Sequence, residues 1–259
     1  MTIDRPVARF DDLRAGTAMG WPGVDGILVA HRAADVVPLL AEVDRVTRAG
    51  RWAFGYVSYE AAPGLDRHLL THAPIADGPP LAWFGVAADP VATPLIGRPR
   101  GSRSAGRWHC ATTRAGFLAD VVAIRHRIGA GEIYQCNLTT SLLGEDQDDS
   151  LALYAALAAG QSGAHAAYLD LGRHVVACAS PELFFEWRGD CVVMRPMKGT
   201  SPRGHDPIDD VRRAARLIGS AKERAENVMI VDLVRNDLAR IARTGGCLLY
   251  TSPSPRDRG

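Results

Sequence analysis

The sequence predicts an α+β protein, and three observations carry that expectation. Residues 164–194 read as a succession of four short strands with turn signals between them. Helical patterns stand before and after that run instead of alternating with it, which favours α+β over a doubly wound sheet. With 259 residues, 47% hydrophobic and 23% charged, the chain can build one large or two small domains with a real core.

In chain order, Gly26 to Ala30 reads as a strand and Asp35 to Ala49 as a helix with apolar residues at helical spacing. Trp52 to Tyr59 alternates and is aromatic, which suits a strand leading to Glu60. Residues 90–107 are rich in Pro, Gly, Ser and Arg without periodicity and are expected to be a linker or surface excursion. Thr112 or Thr113 can cap a helix running to about Ile128, with Phe117, Val121, Ile124 and Ile128 on one face, and Gly129-Ala-Gly131 ends it. Ile133 to Leu143 is strand-like, and Ser150 caps a short Ala/Leu helix to Ala159. The strands expected next are Ala164 to Leu171, His174 to Ala179, Leu183 to Trp187 and Cys191 to Met194, turning at Gly172-Arg173 and Arg188-Gly189. Asp206 to Ile218 and Lys222 to Ile241 read as two helices. The expected organisation is an N-terminal segment 1–89, a linker 90–107, a second domain 108–246 and a tail 247–259.

A formal net charge of +1 gives no global field for nucleic acid or an anionic membrane. The five cysteines have neither CxxC spacing nor partner histidines, so buried thiols in a reducing compartment are expected, not zinc or a disulfide framework. MTIDRPVARFDD has no apolar leader core, and no run reaches the length of a membrane span, so a cytoplasmic protein is expected.

The chemistry centres on MRPMKGTSPRG, Met194 to Gly204. A strand delivers the chain into a turn around Lys198, one of only two lysines in the sequence. A lysine with the ordinary pKa near 10.4 is neutral in only about one part in two thousand at pH 7, so a nucleophilic lysine needs desolvation or a nearby base. Glu182, in Ser180-Pro-Glu-Leu183 at the entry to an apolar strand, is a candidate base or acid, though a strand-edge carboxylate facing water fits the same pattern. On the last helix, Glu223 and Glu226 lie three apart and share a face. Two such carboxylates can hold Mg²⁺, which prefers few protein oxygens plus waters and substrate oxygens. The same spacing also serves a solvated face paired with Lys222 and Arg224.

Four blocks in order resemble the chorismate-utilising enzymes: Gly131-Glu-Ile-Tyr-Gln-Cys-Asn-Leu-Thr139, Ser180-Pro-Glu-Leu-Phe184, Arg195 to Gly204, and Ala221 to Leu238. Gly55 to Ala62 and Trp83-Phe-Gly85 look like the family's N-terminal half. The resemblance implies the chorismate-binding, anthranilate synthase component I-like fold, with β-sheets sandwiched and helices outside, incomplete at the C-terminus. At position 198 the anthranilate-forming members carry alanine, whereas the members that make aminodeoxychorismate carry lysine. The resemblance therefore implies transaminase-type amine transfer to chorismate in para-aminobenzoate and folate synthesis, with Lys198 as nucleophile and Glu182 as general acid/base. It further implies Thr200 as a substrate contact, Glu226 with Glu223 on the Mg²⁺ side, and a glutamine amidotransferase partner supplying ammonia. Gln135, placed with the substrate contacts, falls where isochorismate-forming members carry the lysine that activates water, and this departure argues against water as the incoming nucleophile.

Beyond Gly246 the resemblance stops. Cys247 to Asp257, CLLYTSPSPRD, looks like one translated frame of a transposase sequencing adaptor. The expectation is that family sequence ends near Gly245 or Gly246, with a glycine-rich segment and a second glutamate pair missing; a genuine Ser/Pro/Arg tail is the alternative. The polypeptide as written is then expected to expose apolar faces and to be inactive. Reading the locus past the Gly246 codon distinguishes the two, since a natural stop after Gly259 contradicts the adaptor origin.

Overall fold

The computed structural model describes residues 7–97, 107–144, 149–243 and 246. The chain divides into two units, Met1–Ala179 and Ser180–Gly259. In the first, strands β1 (Ala8–Asp12), β2 (Thr17–Trp21), β6 (Val91–Ala92), β9 (His165–Asp170) and β10 (Val175–Ser180) form one sheet in the order β10-β9-β1-β2-β6. A second sheet, β3-β5-β4, joins Gly26–Ala30, Ala82–Ala87 and Trp52–Val57 through antiparallel ladders.

Alternation along the strands sets the layers. Ala8, Trp21 and Leu169 of the first sheet meet Phe54, Trp83 and Ala87 of the second in one buried cluster. On the opposite face of β9, Ala166 and Tyr168 pack under Tyr154 and Ala158 of α4 (Ser150–Gln161). The outer side of the second sheet is covered by α1 (Ala33–Arg48), whose Val36 and Leu39 meet Ala30 and Ala82. The order helix, sheet, sheet, helix is the expected sandwich with helices outside, because each strand buries one residue parity on the facing sheet and the other under a helix.

A buried ion pair ties this unit together. Arg9 donates from Nε and Nη2 to Asp11 at 2.7 and 2.6 Å, and the Tyr154 hydroxyl donates to Asp11 Oδ2 at 2.6 Å. Arg9 also donates to the Pro94 carbonyl at 2.8 Å, and the Ile96 amide donates to Asp11 Oδ1 at 2.8 Å. Burial alone would raise the Asp11 carboxyl, but the hydrogen bonds from Arg9, Tyr154 and the Ile96 amide hold it below the usual carboxylate range. Burial, with Asp11 adjacent, pushes the Tyr154 phenol well above its ordinary value.

Several expectations change here. The start of the expected linker is woven into the first sheet, since β6 pairs with β2 and residues 94 and 96 bond the buried pair. The two compact units meet in sequence at residue 180; residues 98–106 lie outside the described ones. The run Ile133 to Leu143 is a strand only at β8 (Leu142–Gly144), where it finds a partner in β7 (Trp108–Cys110). A strand needs such a ladder to persist. The helix at 150 is capped by Asp149, which accepts from the Ala152 amide, and not by Ser150. Helix α3 (Arg114–Gly129) is capped by Thr113 as expected. Cys110, Cys136 and Cys191 are exposed and Cys178 half-buried, all as free thiols. The expectation of buried thiols thus fails for these four, because among the described residues no layer covers β7, the 133–141 stretch or β12.

The second unit contains the hairpin β11 (Glu186–Arg188) and β12 (Cys191–Val193), then helices α5 (Pro207–Gly219) and α6 (Ala221–Ala239). Gly189 makes the hairpin turn at φ +55°. Asp206 caps α5 by accepting from the Asp209 amide, and Ser220 caps α6 by accepting from the Glu223 amide. None of the described residues of this unit is buried. Residues 247–259, including Cys247, lie outside the described ones.

Candidate active site

The site is built on the loop from Met194 to Gly204, pinned at three points inside the second unit. At Met197 the amide donates to Glu182 Oε1 at 2.7 Å. Glu182 is itself held in a tight turn, where the Ser180 hydroxyl donates to the Glu182 carbonyl at 2.9 Å. At Gly199, with φ +78°, a Cβ would come within 2.9 Å of Glu223 Oε2 and 3.2 Å of Leu217 Cδ1. At Gly204 the amide donates to Asp210 Oδ1 at 2.7 Å.

Lys198 is therefore flanked along the backbone by a residue bound to Glu182 and a glycine packed against Glu223. Sequence spacing separates Glu182, Lys198 and Glu223 widely, and the structure gathers them around one turn. Lys198 and Glu182 are half-buried, and Thr200 is exposed just beyond the turn. One Glu182 oxygen, Oε1, is taken by the Met197 amide. The positive φ at Gly199 explains the glycine after the lysine, since a side chain there would be strained and would press on Glu223.

On α6, Glu223 and Glu226 do share a face. Lys222 Nζ lies 4.0 Å from Glu223 Oε1 and 3.7 Å from Glu226 Oε1, with the lysine 77% exposed. An exposed pair of this sort contributes about 0–1 kcal/mol, so it does not itself explain why the carboxylates are there. Among the described residues no group of three or more His, Cys, Asp or Glu forms a metal cluster. Two half-buried carboxylates on one face fit Mg²⁺ in donor chemistry.

Gln135 lies in the first unit, half-buried on the irregular stretch after α3. Two features of the loop were not visible in the sequence: Asp209 and Asp210. The His205 amide donates to Asp209 Oδ2 at 3.1 Å, and Arg213 donates to the same oxygen at 2.8 Å. The His205 amide and Arg213 hold the Asp209 carboxyl below its ordinary range.

Two solved structures share this fold. The chain superposes on anthranilate synthase component I of Streptococcus pneumoniae with a TM-score of 0.62 at 17% identity, covering 91% of this chain and 60% of that one. DhbC of Bacillus anthracis, described as an isochorismate synthase, gives a TM-score of 0.65 at 17% identity, covering 92% and 60%. The chain belongs to the chorismate binding enzymes, whose family model matches residues 88–254. That match extends past Gly246 into the segment with the adaptor-like sequence.

Among curated relatives, anthranilate synthase component 1 of Thermus thermophilus is 40% identical over 154 residues, covering 59% of this chain and 33% of that protein. Aminodeoxychorismate synthase component 1 of Klebsiella aerogenes is 32% identical over 165 residues, covering 64% and 35%. The chain thus spans about a third of the length of these relatives. Among the described residues no helix is long and apolar enough to cross a membrane.

Proposed function

We propose that the whole protein is an aminodeoxychorismate synthase component I, which converts chorismate and ammonia to 4-amino-4-deoxychorismate for para-aminobenzoate and folate synthesis. The observation that carries the reading is Lys198, held in the turn between the Met197–Glu182 bond and the Gly199–Glu223 contact. Ammonia would come from glutamine through a partner amidotransferase, in keeping with the "component 1" in the relatives' names.

In this reading Lys198 Nζ, deprotonated, forms a C–N bond with the chorismate ring as the ring hydroxyl departs. The Glu182 carboxylic acid protonates that oxygen, so it leaves as water. Ammonia then forms its own C–N bond, the Lys198 C–N bond breaks, and the lysine is regenerated. The net change is an amine-for-hydroxyl substitution, so transamination, with its keto-acid exchange, does not describe it. Two substitutions with a covalent stage between them replace one difficult displacement. Mg²⁺ at Glu226 and Glu223 would supply charge neutralisation for a substrate carboxylate. Thr200 would contact substrate beside the lysine, and Gln135 lacks the amine that would activate water. The reading includes a cytoplasmic location.

A second reading, anthranilate synthase component I, is supported by the 40% identity to the Thermus thermophilus protein. A third, a chorismate-binding relative without catalysis, is opposed by the joint presence of Lys198, Glu182, Glu223 and Glu226. The discriminating experiment is incubation of the whole protein with chorismate, ammonia and Mg²⁺. Formation of 4-amino-4-deoxychorismate without pyruvate supports the proposal, direct release of pyruvate with anthranilate selects the second reading, and chorismate left unchanged selects the third.

A further inference from the structure

The loop that carries Lys198 is anchored downstream by a residue that no role above requires. Asp210, in the first turn of α5, accepts from the Gly204 amide at 2.7 Å with Oδ1 and pairs with Arg203 Nη1 at 3.0 Å with Oδ2. Both carboxylate oxygens are thereby spent on consecutive residues of one loop. Gly204 lies so close that any Cβ there would overlap the Asp210 backbone nitrogen and the Asp209 carbonyl carbon. The contact is thus backbone against backbone, and only a glycine permits it. Asp209 reinforces it by accepting from His205 and Arg213.

The loop is short between its pins. From Gly204 to Lys198 only Gly199, Thr200, Ser201, Pro202 and Arg203 intervene, and Pro202 removes one backbone freedom. With Met197 fixed on Glu182 and Gly204 fixed on Asp210, the intervening arc has little slack. We propose that Asp210 is a positioning residue for Lys198: by clamping Arg203 and Gly204 to α5 it fixes where the lysine amine can reach. It touches no reacting atom; it acts through the loop. The catalytic part of the inference rests on the proposed role of Lys198, whereas the clamp itself does not.

The test exploits the two lysines of this sequence. The whole protein is treated briefly with acetic anhydride, and acetylation of Lys198 and Lys222 is quantified on their separate peptides by mass spectrometry. Lys222, on an exposed surface of α6, is the internal reference. In Asp210→Ala the Lys198/Lys222 labelling ratio is expected to change at least threefold. Asp210→Asn keeps an acceptor for the Gly204 amide and loses the charge facing Arg203, so it is expected to change the ratio by less. Arg203→Ala, which breaks one of the two contacts and leaves α5 untouched, serves if Asp210→Ala fails to fold, and an intermediate change is expected. An unchanged ratio in the folded variants overturns the clamp. Turnover is measured on the same samples: kcat falling at least tenfold in Asp210→Ala with KM within twofold supports positioning of the nucleophile. A changed ratio with unchanged kcat upholds the clamp and overturns the nucleophilic role of Lys198.

Discussion

Replacing Gly199 with alanine probes the contact that brings the lysine turn onto α6. Two costs are separable. The first is the backbone: at φ +78° an L residue sits in the left-handed region, at a cost of about 1–2 kcal/mol. The second is space, because the new methyl would lie 2.9 Å from Glu223 Oε2, 3.2 Å from Leu217 Cδ1 and 3.3 Å from Glu223 Cβ. The carboxylate end can swing away, but Leu217 and the Glu223 stem must give, which places the packing cost near the low end of overpacking, about 1 kcal/mol. Gly189→Ala is the matched control. It has φ +55° in the hairpin of the same unit and open space where its methyl would go. Urea unfolding of the whole protein should therefore show Gly199→Ala less stable than Gly189→Ala by about 1 kcal/mol. Because the methyl displaces Glu223, Mg²⁺ titration should also show weakened binding only in Gly199→Ala. Equal destabilisation and equal Mg²⁺ affinity in the two variants would refute the contact.

Three further outcomes are expected. Asp11→Asn leaves Arg9 buried without its counter-charge and should lower stability by about 3 kcal/mol, read by tryptophan fluorescence of the cluster around Trp21 and Trp83. Because the folded Asp11 carboxyl is held below its ordinary 3.8, its contribution is complete above about pH 4 and is lost as pH falls through the depressed value; an acid transition that is unchanged in Asp11→Asn would contradict this. Glu182→Gln keeps an oxygen for the Met197 amide but cannot donate a carboxylic proton, so kcat should fall by about 10²–10⁴-fold with circular dichroism unchanged; retained turnover would remove the acid role. The polypeptide as written should bind a hydrophobic dye and turn over no chorismate, since its second unit has no buried residue among those described. Cooperative unfolding with ammonia-dependent product would oppose that.

Local signals were the legible part of the fold. Thr113 caps its helix by accepting from the amide three residues on, which a polar residue before an apolar period announces. Gly172 and Gly189 take positive φ at the expected turns. What sequence could not give was tertiary: β1 and β2 are short, and β1 carries the charged Arg9 and Asp11 on one face. Their burial makes sense only once Tyr154, Pro94 and Ile96 arrive from distant positions. The same holds at the site. Lys198 and Glu182 stand out by residue type, but the Met197–Glu182 bond spans fifteen positions, and no local pattern announces that Asp210 accepts from the Gly204 amide.

The central claim is that Lys198 becomes covalently bonded to the ring of the substrate. Its most direct measurement is mass spectrometry of the whole protein after incubation with chorismate and Mg²⁺ without ammonia. The account predicts an added mass of chorismate less one water on the Lys198 peptide. That mass should disappear on adding ammonia as 4-amino-4-deoxychorismate is released, and it should be absent from Lys198→Ala. An unmodified Lys198 together with undiminished product formation by Lys198→Ala would contradict it.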